Sequence, residues 1–135
     1  MLSNLDAASL RSTIAPWLSV RNGAQAVEFY KSAFGATEVY RLNAGEKGVV
    51  ARLSVDGAEF WLSDESPDHG NFSPETLGGG SVRMILTVVD PDTAFARAVK
   101  AGATEVSPVS EGHGWRVGRV VDPFGHHWEI GRELA

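Results

Sequence analysis

The sequence predicts an α+β fold made of two tandem β-α-β-β-β modules related by a pseudo-twofold axis. The strongest observation is an internal repeat, since the pentapeptide GATEV at residues 35–39 recurs at residues 102–106. The flanks match in register as well, with residues 18–20 and 50–53 resembling residues 86–88 and 117–120. A duplicated half-domain buries its apolar face against its copy, which makes the concave surface between the halves the natural ligand site.

The first half, residues 14–63, predicts one helix among four strands. Residues 14–20 form an apolar run typical of a strand, and residues 24–34 follow with apolar side chains at helical spacing. Gly35 suits the left-handed cap of that helix. Strands are predicted over residues 37–42, 48–55 and 59–62, and Asp56-Gly57 predicts a hairpin between the last two.

The second half, residues 82–135, repeats this order. A strand is predicted over residues 82–89, and Asp90-Pro91-Asp92 indicates the start of a helix that runs to residue 101. Strands follow over residues 104–106, 115–121 and 127–130, with a turn at residues 122–125 before the last. These assignments complete a second β-α-β-β-β unit.

Two segments lie outside the modules. Residues 1–13 are polar and predict a short helix or a frayed tail, and residues 64–81 form a linker rich in proline and glycine. The linker ends in Gly78-Gly79-Gly80, which lacks the Lys-Ser of a phosphate-binding loop, so we interpret it as a flexible crossing between the halves. The whole chain of 135 residues is expected to form one domain.

Composition excludes several classes of function. The chain has no cysteine, which excludes disulfides, thiol catalysis and thiolate metal sites. A net charge of -5 disfavours nucleic acids and anionic membranes as partners. No apolar stretch reaches the length of a membrane span, and the polar start of the chain, with Asp6, does not suggest a secretion signal. A cytoplasmic location is the resulting expectation.

Two motifs connect the chain to a known family. The helix segment Ala26-Val27-Glu28-Phe29-Tyr30 and the C-terminal segment at residues 122–129, DPFGHHWE, resemble signatures of the vicinal oxygen chelate superfamily. This superfamily includes glyoxalase I, extradiol dioxygenases and bleomycin resistance proteins, and residues 73–79 and 101–104 are most similar to its PhnB-like branch. The resemblance covers residues 14–132 and implies a curved mixed sheet around a cleft, the glyoxalase/bleomycin resistance fold.

Strand alternation predicts which side chains face the cleft. Side chains expected on the helix side include Ile14, Val82 and Trp128. The side chains expected on the cleft side are Ala15, Trp17, Ser19, Glu59, Trp61, Ser63, Arg83, Ile85, Thr87, His127 and Glu129.

Metal-binding members of the superfamily place ligands on the first and last strand of each half. The resemblance transfers these four positions to Ala15, Trp61, Arg83 and Glu129, of which only Glu129 can bind a metal. We therefore expect no cofactor, with an alternative divalent-metal set of Glu59, His127 and Glu129 left open.

The remaining candidates favour ligand binding. Arg83 and Glu129 form either a structural ion pair or an anchor for a polar ligand, and Trp17, Trp61 and Trp115 could form an aromatic wall around a flat molecule. The resemblance to bleomycin resistance proteins then implies a metal-independent protein that binds a small molecule such as an aromatic drug or metabolite, with a role in antibiotic resistance. The alternative is a metal-dependent lyase, isomerase or dioxygenase, and no catalytic residue is assigned. The resemblance also implies a homodimer, in which the two halves could be exchanged between partners.

Overall fold

The computed structural model describes residues 10–135. The tail predicted for residues 1–13 falls mainly on residues 1–9, which lie outside the described residues, and residues 10–13 form no helix or strand. Within the described part, none of the helices is long and apolar enough to cross a membrane.

The first module has the predicted element order. Strand β1 spans Trp17–Val20, helix α1 Gly23–Phe34, and strands β2, β3 and β4 span Thr37–Asn43, Val49–Val55 and Ala58–Asp64. Asn22 caps α1, because its side chain accepts a hydrogen bond from the amide of Gln25. Gly35 ends the helix with a left-handed φ of 69°, as its place after the helical spacing predicted.

The connection between the modules is partly helical. A 3₁₀ turn at Pro67–His69 precedes the short helix α2 at Pro74–Leu77, and Ser73 caps α2 from a fully buried position. Glu65 accepts hydrogen bonds from the Ser73 amide at 2.8 Å and from the Thr76 hydroxyl at 2.8 Å. These contacts hold much of the predicted flexible crossing in a defined path.

The second module repeats the arrangement. Strand β5 spans Arg83–Thr87, helix α3 Pro91–Ala101, and strands β6, β7 and β8 span Thr104–Gly112, Trp115–Val121 and His127–Glu133. Strand β6 is longer than predicted and continues through Pro108. It tolerates proline because it lies at the sheet edge and its ladder is interrupted by register shifts.

The fold is α+β with two four-stranded mixed sheets, in the orders β1-β4-β3-β2 and β5-β8-β7-β6. In each sheet the first strand pairs in parallel with the last, and the other pairs are antiparallel. Helices α1 and α3 pack against each other. One continuous core lies between the helix-side faces of both sheets, and its largest members include Tyr30, Leu53, Leu62, Trp128 and Ile130.

The predicted alternation holds within the strands but fails just before them. Leu18 and Val20 are buried while Trp17 is 55% exposed, as expected for opposite faces of β1. In contrast, Ile14 is 102% exposed and Val82 is 72% exposed, so the prediction that both face the helices is wrong. Both residues precede the first residue of their strand, and Pro16 has no amide to extend the β1 ladder.

Candidate functional site

The open face of the first sheet carries a row of large side chains in register. Trp17 on β1 lies opposite Trp61 on β4, Trp61 lies opposite Arg52 on β3, and Arg52 lies opposite Tyr40 on β2. Because paired residues on adjacent strands point to the same side, the four side chains form one band across the sheet. We call this band the aromatic row.

The rings of the aromatic row contact one another directly. Trp17 and Trp61 stack with centroids 5.2 Å apart and planes only 8° from parallel. The Trp17 indole nitrogen donates a hydrogen bond of 2.8 Å to Ser63 Oγ, which fixes the ring. Tyr40 meets Trp61 edge to face at 6.0 Å. The two tryptophans therefore leave no slot between them, and a ligand would stack on the exposed side of Trp17.

Arg52 belongs to this row through a cation–π contact. Its guanidinium carbon lies 5.2 Å from the centroid of the Trp61 ring, and its Nε lies 3.7 Å from Glu59 Oε1. The Nε atom is buried and has no hydrogen-bond partner among the described residues. The sequence analysis selected neither Arg52 nor Tyr40 as a site residue, although their places in β3 and β2 put them beside Trp61.

The open face of the second sheet has a different character. Arg83 donates a hydrogen bond of 2.9 Å from Nε to Glu129 Oε2, which is the ion pair that the sequence offered as one of two alternatives. The pair is partly exposed, with side-chain exposures of 56% and 28%, so solvent weakens it. An apolar cavity of about 270 Å³ next to it is lined by Trp115, Ile85, His113 and Glu129 among others.

His127 lies on the same face, next to a second arginine. Arg119 donates a hydrogen bond of 3.1 Å from Nε to His127 Nδ1. Partial burial, together with the nearby positive charge of Arg119, lowers the pKa of His127, while the carboxylate of Asp122 acts in the opposite direction. His127 is therefore neutral at pH 7, with its proton on Nε2.

Neighbouring His126 connects the two modules. Its Nε2 lies 2.9 Å from the carbonyl oxygen of Ser19 on β1. Beside it, a cavity of about 320 Å³ runs between β1 and β5, and Trp17, Phe72, Leu77 and Met84 are among its lining residues. This cavity brings Trp17 closer to the second module than any other residue of the aromatic row.

A further cavity of about 460 Å³ lies elsewhere, on the helix side of the fold. It is lined by Arg21, Glu28 and Phe29 among others, and no predicted site residue contributes to it. Arg21 is already within ion-pair distance of Glu65 and Glu75, at 3.7 and 3.9 Å. We therefore place the candidate site on the open sheet faces, where the aromatic and charged side chains lie.

The predicted site residues separate into two groups. Trp17 and Trp61 meet on the first sheet, while Arg83, Trp115 and Glu129 lie on the second. The two groups lie on different sheets of one chain, and the common cleft that the sequence predicts for them stays a prediction. The helices α1 and α3 pack together, and the open faces lie on the outer sides of the shared core.

The residues at the four superfamily ligand positions do not fit a divalent metal. Ala15 precedes β1, Trp61 is engaged in the aromatic row, and Glu129 is paired with the permanent cation Arg83. In the alternative set, Glu59 lies on the first sheet near Arg52, whereas His127 and Glu129 lie on the second. Across residues 10–135, no group of three or more metal-ligating side chains is brought together.

Buried Asp122, between the last two strands, has a structural role that sequence reasoning did not predict. It is 4% exposed and accepts hydrogen bonds from Trp128 Nε1 and from the amides of Phe124 and His126, each at 2.9 Å. A fourth bond comes from the hydroxyl of Tyr30 on α1 of the other module. Burial, followed by the charge of Asp122, raises the pKa of Tyr30 well above its ordinary value. Asp122 therefore ties the two modules together.

Comparison with known proteins agrees with this architecture. The glyoxalase-like domain family matches residues 17–131. An uncharacterized protein of Mycobacterium tuberculosis is 38% identical over 133 residues, which cover 95% of this chain and 78% of that protein. An Arabidopsis thaliana gene product of known structure is 34% identical, with a TM-score of 0.67 over 89% of this chain and 96% of that one.

A superfamily member from Sphaerobacter thermophilus shares the fold with a TM-score of 0.71, at 20% identity over 91% of this chain and 98% of that one. The fold, the repeat and the family match agree over nearly the whole chain. The chain therefore belongs to the glyoxalase-like domain family.

Proposed function

We propose that this protein binds a flat, apolar small molecule without a metal and does not transform it. The observation that carries the proposal is the aromatic row, in which Trp17 exposes one side of its ring while the other side stacks on Trp61. Aromatic faces of this kind bind planar molecules through stacking and burial of apolar area.

The aromatic row is preorganised for such a ligand. The hydrogen bond to Ser63 and the stack on Trp61 already restrict the rotamer of Trp17, so binding loses little side-chain entropy. Arg52 is held near Trp61 and Glu59, so it adds charge beside the rings. Loss of the Trp17 ring should weaken binding by about 1–3 kcal/mol.

The metal-dependent alternative has less support. A lyase, isomerase or dioxygenase of this superfamily would need several oxygen or nitrogen donors converging on one ion. At the four ligand positions, only Glu129 offers such a donor, and Arg83 already occupies it. Arg83 would also repel a cation at that place.

We further propose that the protein works as a cytoplasmic homodimer. Both open faces expose apolar side chains, including Trp17, Tyr40, Ile85 and Val106. Since the two faces lie apart within one chain, a second copy could bring the first sheet of one protomer opposite the second sheet of the other. Such a cleft would combine the aromatic row with the apolar cavity beside Trp115.

Calorimetry on metal-stripped protein tests the binding proposal. The probes are uncharged bicyclic aromatics such as quinoline and indole, titrated in the presence of a chelator. Saturable binding that Trp17→Ala weakens supports the proposal, and Val99→Ala serves as control because Val99 lies on α3, away from both open faces.

Two results would contradict the binding proposal. One is a Trp17→Ala protein with the affinity of Val99→Ala. The other is stoichiometric binding of zinc or manganese that Glu129→Ala abolishes, which would favour the metal-dependent alternative. Sedimentation of the same samples checks the dimer.

A further inference from the structure

We propose that the second sheet carries an anion-binding pocket where the linker meets the second module, fitted to the phosphate, sulfonate or carboxylate group of a small organic ligand. The pocket is a cavity of about 260 Å³. Its polar lining comes from Arg83, Arg119, His126 and His127, and Gly79 and Gly80 form part of its wall. No carboxylate side chain lines it, although the chain as a whole has a net charge of -5.

Arg119 is the central cation of this pocket. It lies opposite Glu129 on β8 in the strand register, and its Nε is committed to His127 Nδ1. Among the described residues, no hydrogen bond or ion pair engages its two terminal nitrogens. A guanidinium held through Nε presents those two nitrogens as a fork, the geometry that binds carboxylates and phosphates through two hydrogen bonds.

Arg83 is held in a similar way on β5, which is separated from the strand of Arg119 by β8. Its Nε is bonded to Glu129 Oε2, which orients the side chain on the open face of β5. Glu129 offsets part of its charge, so the positive charge of the pocket depends chiefly on Arg119. His127 lies opposite Arg83 in the strand register, and Arg119 lies opposite Glu129. Arg83, Arg119 and His127 therefore present their hydrogen-bond donors on one face of the sheet.

The glycine segment supplies a wall without side chains. A Cβ atom added at Gly79 or Gly80 would meet nothing within 4 Å, so open space surrounds the backbone there. The Gly79 amide already donates to the Pro74 carbonyl oxygen at 3.0 Å, so of the two amides that of Gly80 is the one that can approach an anion closely. The tertiary fold therefore makes these glycines part of the pocket wall, although the sequence around them is not that of a phosphate-binding loop.

The pocket also shares a wall with the apolar cavity between β1 and β5. Pro74, His126 and residues 79–82 line both cavities, and Trp17 lines the apolar one. This neighbourhood favours a ligand that combines an apolar part with an anionic group. The inference thus deepens the proposed function by naming the ligand class, and it rests on that function for its biological use.

Inorganic sulfate is the appropriate first probe, because it carries the anionic charge alone and does not titrate near neutral pH. The intact protein is titrated at constant ionic strength, with chloride as the competing salt. The imidazole carbon-bound protons of His126 and His127 are followed by NMR. We expect saturable shifts of both imidazoles, and Arg119→Gln should weaken sulfate binding by about tenfold or more.

Arg132→Gln is the matched control. It removes one arginine from β8, where Arg132 is exposed and does not line the pocket. It therefore lowers the net charge as much as Arg119→Gln does, and its sulfate affinity should stay within about twofold of wild type. Should Arg119→Gln fail to fold, His127→Gln takes its place, and the wild-type histidine shifts remain an independent measure.

The possible outcomes separate this inference from the proposed function. Shifts that do not saturate, or equal weakening by Arg119→Gln and Arg132→Gln, would overturn the anion pocket while leaving quinoline binding at Trp17 untouched. Specific sulfate binding without any affinity for uncharged aromatics would support the pocket and contradict the aromatic proposal. Tighter binding of quinoline-2-carboxylate than of either probe alone supports a ligand that joins both features.

Discussion

The contact between Tyr30 and Asp122 should stabilise the whole domain, and Tyr30→Phe measures it. Tyr30 is fully buried, and its hydroxyl donates to a carboxylate oxygen in the other module. The substitution deletes one oxygen atom and leaves the ring contacts with Phe60 and Trp128 in place, so it creates almost no cavity. The measured loss can therefore be assigned to the hydrogen bond.

The expected magnitude follows from the surroundings of Asp122. A hydrogen bond to a charged group contributes about 1.5–3 kcal/mol to the free energy of unfolding. The loss grows when a buried carboxylate keeps fewer hydrogen-bond donors. Three other donors remain, from Trp128, Phe124 and His126, so Asp122 does not become an unpaired charge. We expect Tyr30→Phe to lower the free energy of unfolding by about 2 kcal/mol.

Urea unfolding followed by tryptophan fluorescence is the assay. With a urea m-value of about 2 kcal/mol/M, the midpoint should fall by about 1 M without a change in m. Tyr40→Phe is the control, because Tyr40 is the only other tyrosine and lies exposed on the first sheet. It should change stability by less than about 0.5 kcal/mol. Equal midpoints for the two variants would refute the reasoning about Asp122.

The structure supports two further predictions. Arg83→Gln should lower the free energy of unfolding, measured by thermal unfolding, by less than about 1 kcal/mol, because solvent reaches the ion pair with Glu129. The loss should be smaller still in high salt. A salt-independent loss of several kcal/mol would contradict this. The pKa of His127 is lowered in the folded state, so the unfolded state binds protons more readily. The free energy of unfolding should therefore fall as pH drops below about 6.5. A His127→Gln protein that keeps the same pH profile would show that another group is responsible.

Strand periodicity and the repeat predicted the local structure well, because these signals depend on neighbouring residues. Gly35 and Gly102 end their helices, and the helical spacing before Gly35 predicted its cap. Trp128 lies in the core and Trp17 and Trp61 lie on the open face, as alternation along the strands requires. The superfamily resemblance is confirmed as well, whereas the PhnB-like branch and the antibiotic-resistance role stay predictions.

The grouping of site residues depended on contacts between distant segments, which periodicity cannot supply. The packing of α1 against α3 places the two open faces apart, so Trp61 and Glu129 do not meet within one chain. Strand register brings Arg119 beside His127, and the path of the linker brings Gly79 to the same cavity. The sequence by itself determined the modules, the caps and the side that residues within the strands face, because helix and strand periods are local. Only the tertiary structure decided which faces meet, since packing between modules selects one arrangement from many that share the same local pattern.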